Sequence, residues 1–222
     1  MSSSAQTAGT MRFRDRAHAG RVLASALAEY AGRDDVVVLA LPRGGVPVAA
    51  ELARQLGAPL DVLVVRKLGV PGHEELAVGA IAPGGVLVLD DRLVRRLGLT
   101  RADIEALVAR ELSELARRQA AFRDNRPPPD LEGKTVILVD DGLATGATMR
   151  AAAEAVRKEH PARIVVAVPV AAAETCDEFR EDVDEIVCAF TPAPFQAVGL
   201  WYEDFTQTTD DEVRELLGHD AA

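Results

Sequence analysis

The chain has no surplus of positive charge: 25 Lys and Arg stand against 35 Asp and Glu, for a formal net charge of −10 and a pI of about 4.9. A broad electrostatic footprint for nucleic acid is therefore missing, and only a local basic patch stays open. Cysteine is equally scarce. Cys176 and Cys188 sit in neither a CxxC pair nor a Cys/His cluster of metal-ligand spacing, so we expect separate core thiols in a reducing compartment. No apolar run approaches the roughly 20 residues that a membrane helix needs, and MSSSAQTAGTMRFRDR holds no apolar signal core,. These absences lead us to expect a cytoplasmic protein that meets neither membrane nor nucleic acid, with residues 1–11 as a flexible leader. There is also no internal repeat.

What the chain does have is 222 residues, 48% of them hydrophobic, enough for one sizeable core,. Continuous apolar runs, the mark of strands buried on both faces, recur at 36–41, 60–65, 135–139, 163–170 and 185–190,. They alternate with helical patterns at 15–31, 46–57 and 147–159, closed by Gly32, Gly57 and Pro161,. This rhythm predicts an α/β fold with a mainly parallel five-stranded sheet flanked by helices, in one domain over 12–218.

One stretch, about 70–130, breaks the alternation. Residues 76–91 read as a hairpin turning at Gly84 and Gly85. A long helix follows from Thr100 to Phe122, with Thr100 and Asp103 as a capping box,. Ile104, Leu107, Val108, Leu112, Leu115 and Phe122 form its expected apolar stripe, and Glu114 with Arg118 an i,i+4 pair on the wet side. The helix either packs on the domain or meets a second subunit.

The most informative segment is VILVDDGLATGATM, 136–149. A buried strand ends at Asp140, and a helix starts near Ala147. Ligands of open parallel sheets sit beyond the carboxyl ends of the strands. The small residues from Ala144 to Thr148 let backbone N–H groups approach an anion at a helix N-terminus, and Thr145 and Thr148 add hydroxyls. Two carboxylates beside an anion cradle must face another part of the ligand, and vicinal sugar hydroxyls suit them as donors. A ribose 5-phosphate satisfies both halves. The segment lacks the Gly-Lys-Ser/Thr ending of a Walker A loop, and no GxGxxG opens a helix,.

In this string the sequence resembles the type I phosphoribosyltransferases, which bind 5-phosphoribosyl 1-diphosphate (PRPP) through a strand-Asp-Asp-loop-helix motif. The likeness runs from about 12 to 218 and is closest to uncharacterised bacterial members. It implies that Asp140 and Asp141 hold the ribose hydroxyls and that Ala144, Thr145, Gly146, Ala147 and Thr148 hold the 5-phosphate. It makes Pro42, Arg43, Gly44 and Gly45 of LALPRGGVPVA the diphosphate loop, with a strained or cis peptide near Arg43. It reads VVRKLGVPGHEE, 64–75, as the start of a catalytic lid, where Arg66 and Lys67 at a strand end reach the diphosphate; a solvated basic pair before a turn is the alternative,. His73 and Glu74 are acid/base candidates there, whereas His18, His160 and His219 read as surface residues.

A small hood over the base falls at about 191–208. Phe195 and Trp201 either stack on a flat heterocycle or pack in the core, with Val198 beside its edge. Thr209 and Glu212 then cap a short terminal helix. The implied reaction is transfer of phosphoribosyl from PRPP to a nitrogenous, nucleobase-like acceptor with release of diphosphate. Mg2+ comes with the substrate, and Asp140, Asp141 or Glu203 touches the metal or its waters. Arg43, Lys67, Asp140 and Asp141 are the expected catalytic set, and a homodimer is expected from the family. Ala144 stands where members acting on 6-oxopurines carry an aspartate, so the acceptor stays open. The competing reading is a PRPP-binding regulator or sensor without turnover.

Overall fold

The computed structural model describes residues 12–70, 73–124 and 126–218, with the side chains of 73–75 outside that set. The expected leader at 1–11, Pro71, Gly72 and His219 therefore lie outside the described residues, as do the side chains of His73 and Glu74.

The first helix, α1 (Arg16–Ala26), starts where the Asp15 carboxylate accepts from His18 N–H,. Strand β1 (Val36–Ala40) leads into α2 (Gly45–Leu56), which stops at Gly57 with φ 67°,. Strand β2 (Leu60–Val62) follows, then β3 (Arg66–Val70), β4 (His73–Ala82) and β5 (Val86–Leu89). After α3 (Asp91–Leu97) and the long α4 (Arg101–Arg123) the chain returns to the main sheet as β6 (Thr135–Val139). The remaining elements are α5 (Ala147–Arg157), β7 (Arg163–Val170), α6 (Ala173–Phe179), β8 (Glu185–Phe190) and α7 (Asp210–Leu216).

Five strands form a wholly parallel sheet in the order β2-β1-β6-β7-β8. Successive side chains point to opposite faces. Val36, Val38, Ala40, Ile137 and Val139 thus meet Leu23, Leu27, Val48 and Leu52 of α1 and α2. Val37, Leu39, Val136 and Leu138 meet Met149, Ala152 and Val156 of α5 and Phe179 of α6. Both faces are covered, as continuous apolar strands require.

The run at 60–65 is not one strand. The main sheet keeps only Leu60–Val62, and the chain then enters an antiparallel sheet of order β3-β4-β5. Arg66 and Lys67 therefore begin β3 rather than ending a strand of the parallel sheet. The expected hairpin turns through Pro83–Gly85, and its Ala80, Ala82 and Val86 pack on Ala151 and Ala155 of α5.

Helix α4 has the expected capping box at Thr100 and Asp103. It packs inward through Ile104, Leu107, Leu115 and Phe122. The expected stripe fails at one place: Leu112 is 41% exposed, and Glu111, at 6%, takes the inward position. Glu111 tolerates burial because arginines satisfy its carboxylate, as described below. At the far end, buried Arg123 donates to Asp61 (3.1 Å) and to the Val62 carbonyl (2.8 Å), tying α4 to β2.

The two cysteines are not separate thiols. Cys176 of α6 is joined to Cys188 of β8 by a disulfide, a pairing that depends on α6 folding back against the last strand. No described helix is long and apolar enough to cross a membrane.

Candidate active site

The sequence motifs converge because β1 and β6 are neighbours in unbroken parallel register, ending together at Ala40 and Val139. The loops that leave them, Pro42–Gly45 and Asp140–Gly146, consequently touch. Their contact is so close that a Cβ on Gly44 would lie 2.0 Å from Asp141 Oδ2, and one on Gly45 2.7 Å from the Val139 carbonyl. Only glycine fits there, for reasons of space rather than of φ. The Pro42–Arg43 peptide is cis, as the resemblance implies.

The two aspartates differ. Asp140 lines a cleft of about 680 Å³ with Pro42, Val65, Arg66, Lys67, Gly69, Arg110, Glu111, Arg118 and Thr148. Its Oδ1 accepts from Asp141 N–H at 2.8 Å. Burial, then the neighbouring Asp141 charge, push its carboxyl well above the usual carboxylate range, while Lys67 and Arg16 pull the other way,. Asp141 instead lies 2.9 Å from Arg16 Nε of α1. Burial raises its carboxyl too, opposed by Arg16. Arg16 is itself held by the Thr206 carbonyl at 2.7 Å and by the Phe205 ring 4.0 Å below its guanidinium. Tyr202 completes the clamp, its hydroxyl donating to the Asp141 carbonyl at 2.5 Å.

The 144–148 loop is fastened from behind. Thr175 Oγ1 donates to the Ala144 carbonyl (2.8 Å), Arg150 Nη1 to that of Thr145 (3.0 Å), and Arg150 N–H to that of Gly146 (2.8 Å). With three consecutive carbonyls bound to the scaffold, no acceptor among the described residues takes the N–H groups of 144–148. Gly146 turns the chain at φ 75°, and Phe179 fills the space a Cβ would need. The result is a row of donors ahead of α5, suited to an anion.

Arg66, Lys67, Asp140 and Thr148 thus meet in one cleft, with the Pro42 turn beside them. Arg43 sends its side chain elsewhere, to Asp210 in the first turn of α7 at 3.3 Å. The hood residues also lie apart from the cleft lining. Trp201 packs edge-on to Phe190 at 5.3 Å, and its buried Nε1 has no hydrogen-bond partner among the described residues. Phe195 and Val198 join the same cluster, and Val198 lies against Gly142. Glu203 is exposed, its N–H donating to the Phe13 carbonyl. Arg16, Arg110 and Glu111 escaped the sequence reading, and Arg118, expected only as the wet-side partner of Glu114, makes that pair but also lines the cleft. Only Glu111 and Arg118 left a signal, by falling on the inward spacing of α4. Among the described residues no group of three or more His, Cys, Asp or Glu could hold a metal ion.

Residues 14–200 match the model of the phosphoribosyl transferase domain. The chain belongs to that family. Among its phosphoribosyltransferase relatives is a "putative phosphoribosyl transferase" of Mycobacterium tuberculosis, 52% identical over 205 residues, which cover 92% of this chain and 46% of that protein. The chain thus spans about half the length of the curated relatives it first matches. The bifunctional protein PyrR of Chloroflexus aurantiacus is 37% identical over 129 residues, 57% of this chain and 65% of that one. The crystal structure of TT1426 from Thermus thermophilus superposes with a TM-score of 0.79 at 47% identity, covering 96% of this chain and all of that one, 100%.

Proposed function

We propose that the chain is a phosphoribosyltransferase enzyme that moves 5-phosphoribosyl from PRPP to a ring nitrogen of a nucleobase-like acceptor and releases diphosphate. The observation that carries this reading is the single cleft at the ends of β1 and β6. There the half-buried Asp140, two strand-borne cations and Thr148, at the helix end of the donor loop, come together.

In the proposed reaction the acceptor nitrogen bonds to the anomeric carbon as that carbon's bond to the diphosphate oxygen breaks; the electron pair leaves with diphosphate, and the acceptor's N–H proton is released to solvent. Asp140 accepts hydrogen bonds from ribose hydroxyls, and Asp141 joins it on exchanging Arg16. The donors of Ala144 to Thr148 take the 5-phosphate. Arg66 and Lys67 stabilise charge on the departing diphosphate, and Arg43 does so on release from Asp210. Phe195, Val198 and Trp201 back the acceptor side as a packed hood. The donor set fits Mg2+ carried by substrate, because the cleft floor offers one free carboxylate, Asp140, to an ion that binds mainly through substrate oxygens and water,. When bound, the ion offsets the diphosphate charge.

The test is diphosphate release from PRPP with Mg2+ across a panel of bases. Release with at least one base is expected. Tight PRPP binding without release for any base would replace the enzyme by a sensor, and absence of PRPP binding would overturn both.

A further inference from the structure

The inward face of α4 runs Ile104, Leu107, Glu111, Leu115, Arg118, Phe122, at the spacing of a stripe that packs on a core,. Four of these six are apolar and buried in the core. The two charged ones, Glu111 and Arg118, open on the cleft together with Arg110. A buried charge in a packing stripe weakens packing unless it is paired, so its presence calls for a second reason. Glu111 is fully used: Oε2 accepts from Arg66 Nε (3.0 Å) and Nη2 (2.7 Å), and Oε1 from Arg110 Nε (3.0 Å). Arg118 is steadied by Glu114 at 2.7 Å. The cleft therefore holds four cations, Arg66, Lys67, Arg110 and Arg118, against the carboxylates of Asp140 and Glu111. In a chain of net charge −10 such a local surplus is not a by-product of composition.

We propose that α4 forms an anion-binding wall for the diphosphate group of the substrate. Arg110 and Arg118 contact the diphosphate directly, and Glu111 is a positioning residue that aims Arg66 and Arg110. Guanidinium forks suit the closely spaced oxygens of a diphosphate, and fixing them beforehand lowers the ordering cost of binding. The assignment of diphosphate rests on the proposed transferase reading; the cationic wall itself does not.

The experiment is calorimetric titration with inorganic diphosphate, and separately with PRPP, both with Mg2+. For Arg110→Ala with Arg118→Ala, the Kd for diphosphate should rise about tenfold or more, the usual effect of losing hydrogen bonds to a charged group. Glu111→Gln should raise it as well, beyond any change in Tm. Arg117→Ala, which removes an equal charge from the exposed side of α4, should leave it unchanged. Wild-type protein that does not bind diphosphate, or arginine variants that bind it as wild type does, would overturn the wall. A purely structural Glu111 would lower Tm and leave Kd unmoved. If diphosphate binding behaves as expected while PRPP is neither bound nor turned over, the wall stands and the transferase reading falls.

Discussion

The two walls of the cleft were built by different means. The wall formed by the ends of β1 and β6 is made of short contiguous strings and depends on the backbone: cis Pro42–Arg43, Gly44 pressed on Asp141, and a loop with its carbonyls tied back. The wall formed by β3 and α4 is made of long charged side chains brought together from positions 45 residues apart, as in Arg66 and Glu111. Backbone sites tolerate almost no change of residue, whereas side-chain sites can be retuned one charge at a time.

Variants can break or sharpen this contrast. The largest effect is expected for Gly44→Ala, whose Cβ must displace the Asp141 carboxylate from 2.0 Å and with it Arg16. Misplacement of this size costs on the order of 100-fold in rate, read as initial velocity of diphosphate release. Near-normal velocity would remove the distinction between the walls.

Asp140→Asn should weaken PRPP binding about tenfold, as loss of a charged acceptor does, and yet stabilise the protein. The native carboxyl is held above its ordinary range by burial. The unfolded chain therefore releases this proton at lower pH than the folded one. Stability is intact where both states are protonated, below about pH 3.9, and declines as pH rises toward the folded-state value. Thermal melts should show the Asn variant above wild type at pH 7, with the gap closing toward pH 4. A gap that widens on acidification would contradict the burial argument. The smallest effect belongs to Leu112→Ser, expected to change stability by no more than about 0.5 kcal/mol in denaturant titration, since this leucine faces water,.

The same contrast explains what could be read from the chain alone. Four of the five parallel strands agree with their apolar runs to within a residue, because burial on both faces leaves a continuous signal. The exception, 60–65, failed because the apolar pattern continues through Val65 while the backbone changes sheets after Val62. The Asp-Asp and Pro-Arg-Gly-Gly strings were legible as local patterns. Arg16 was not, since its contact with Asp141 spans 125 positions and nothing around it marks it out. Arg43 shows the same limit: its string was legible, but the contact of its side chain with Asp210, 167 positions away, was not. Leu112 was placed on the core by hydropathy alone, which gives no weight to a carboxylate with three arginine hydrogen bonds. The cysteine pair was missed because a separation of 12 residues fits no familiar spacing.

Near the start of the described chain, the backbone of Phe13 lies parallel to Tyr202, donating to the Trp201 carbonyl at 2.8 Å and offering its own carbonyl to Glu203. The stitch joins two segments that leave the ribosome far apart in time, about 190 residues of synthesis lying between them. Until residues near 200 have been synthesised, Arg16 has no Thr206 carbonyl or Phe205 ring to rest on, and Asp141 lacks the Tyr202 hydroxyl. A nascent chain can thus hold a finished parallel sheet and still have an unfinished site, so competence should follow the sheet and not arrive with it.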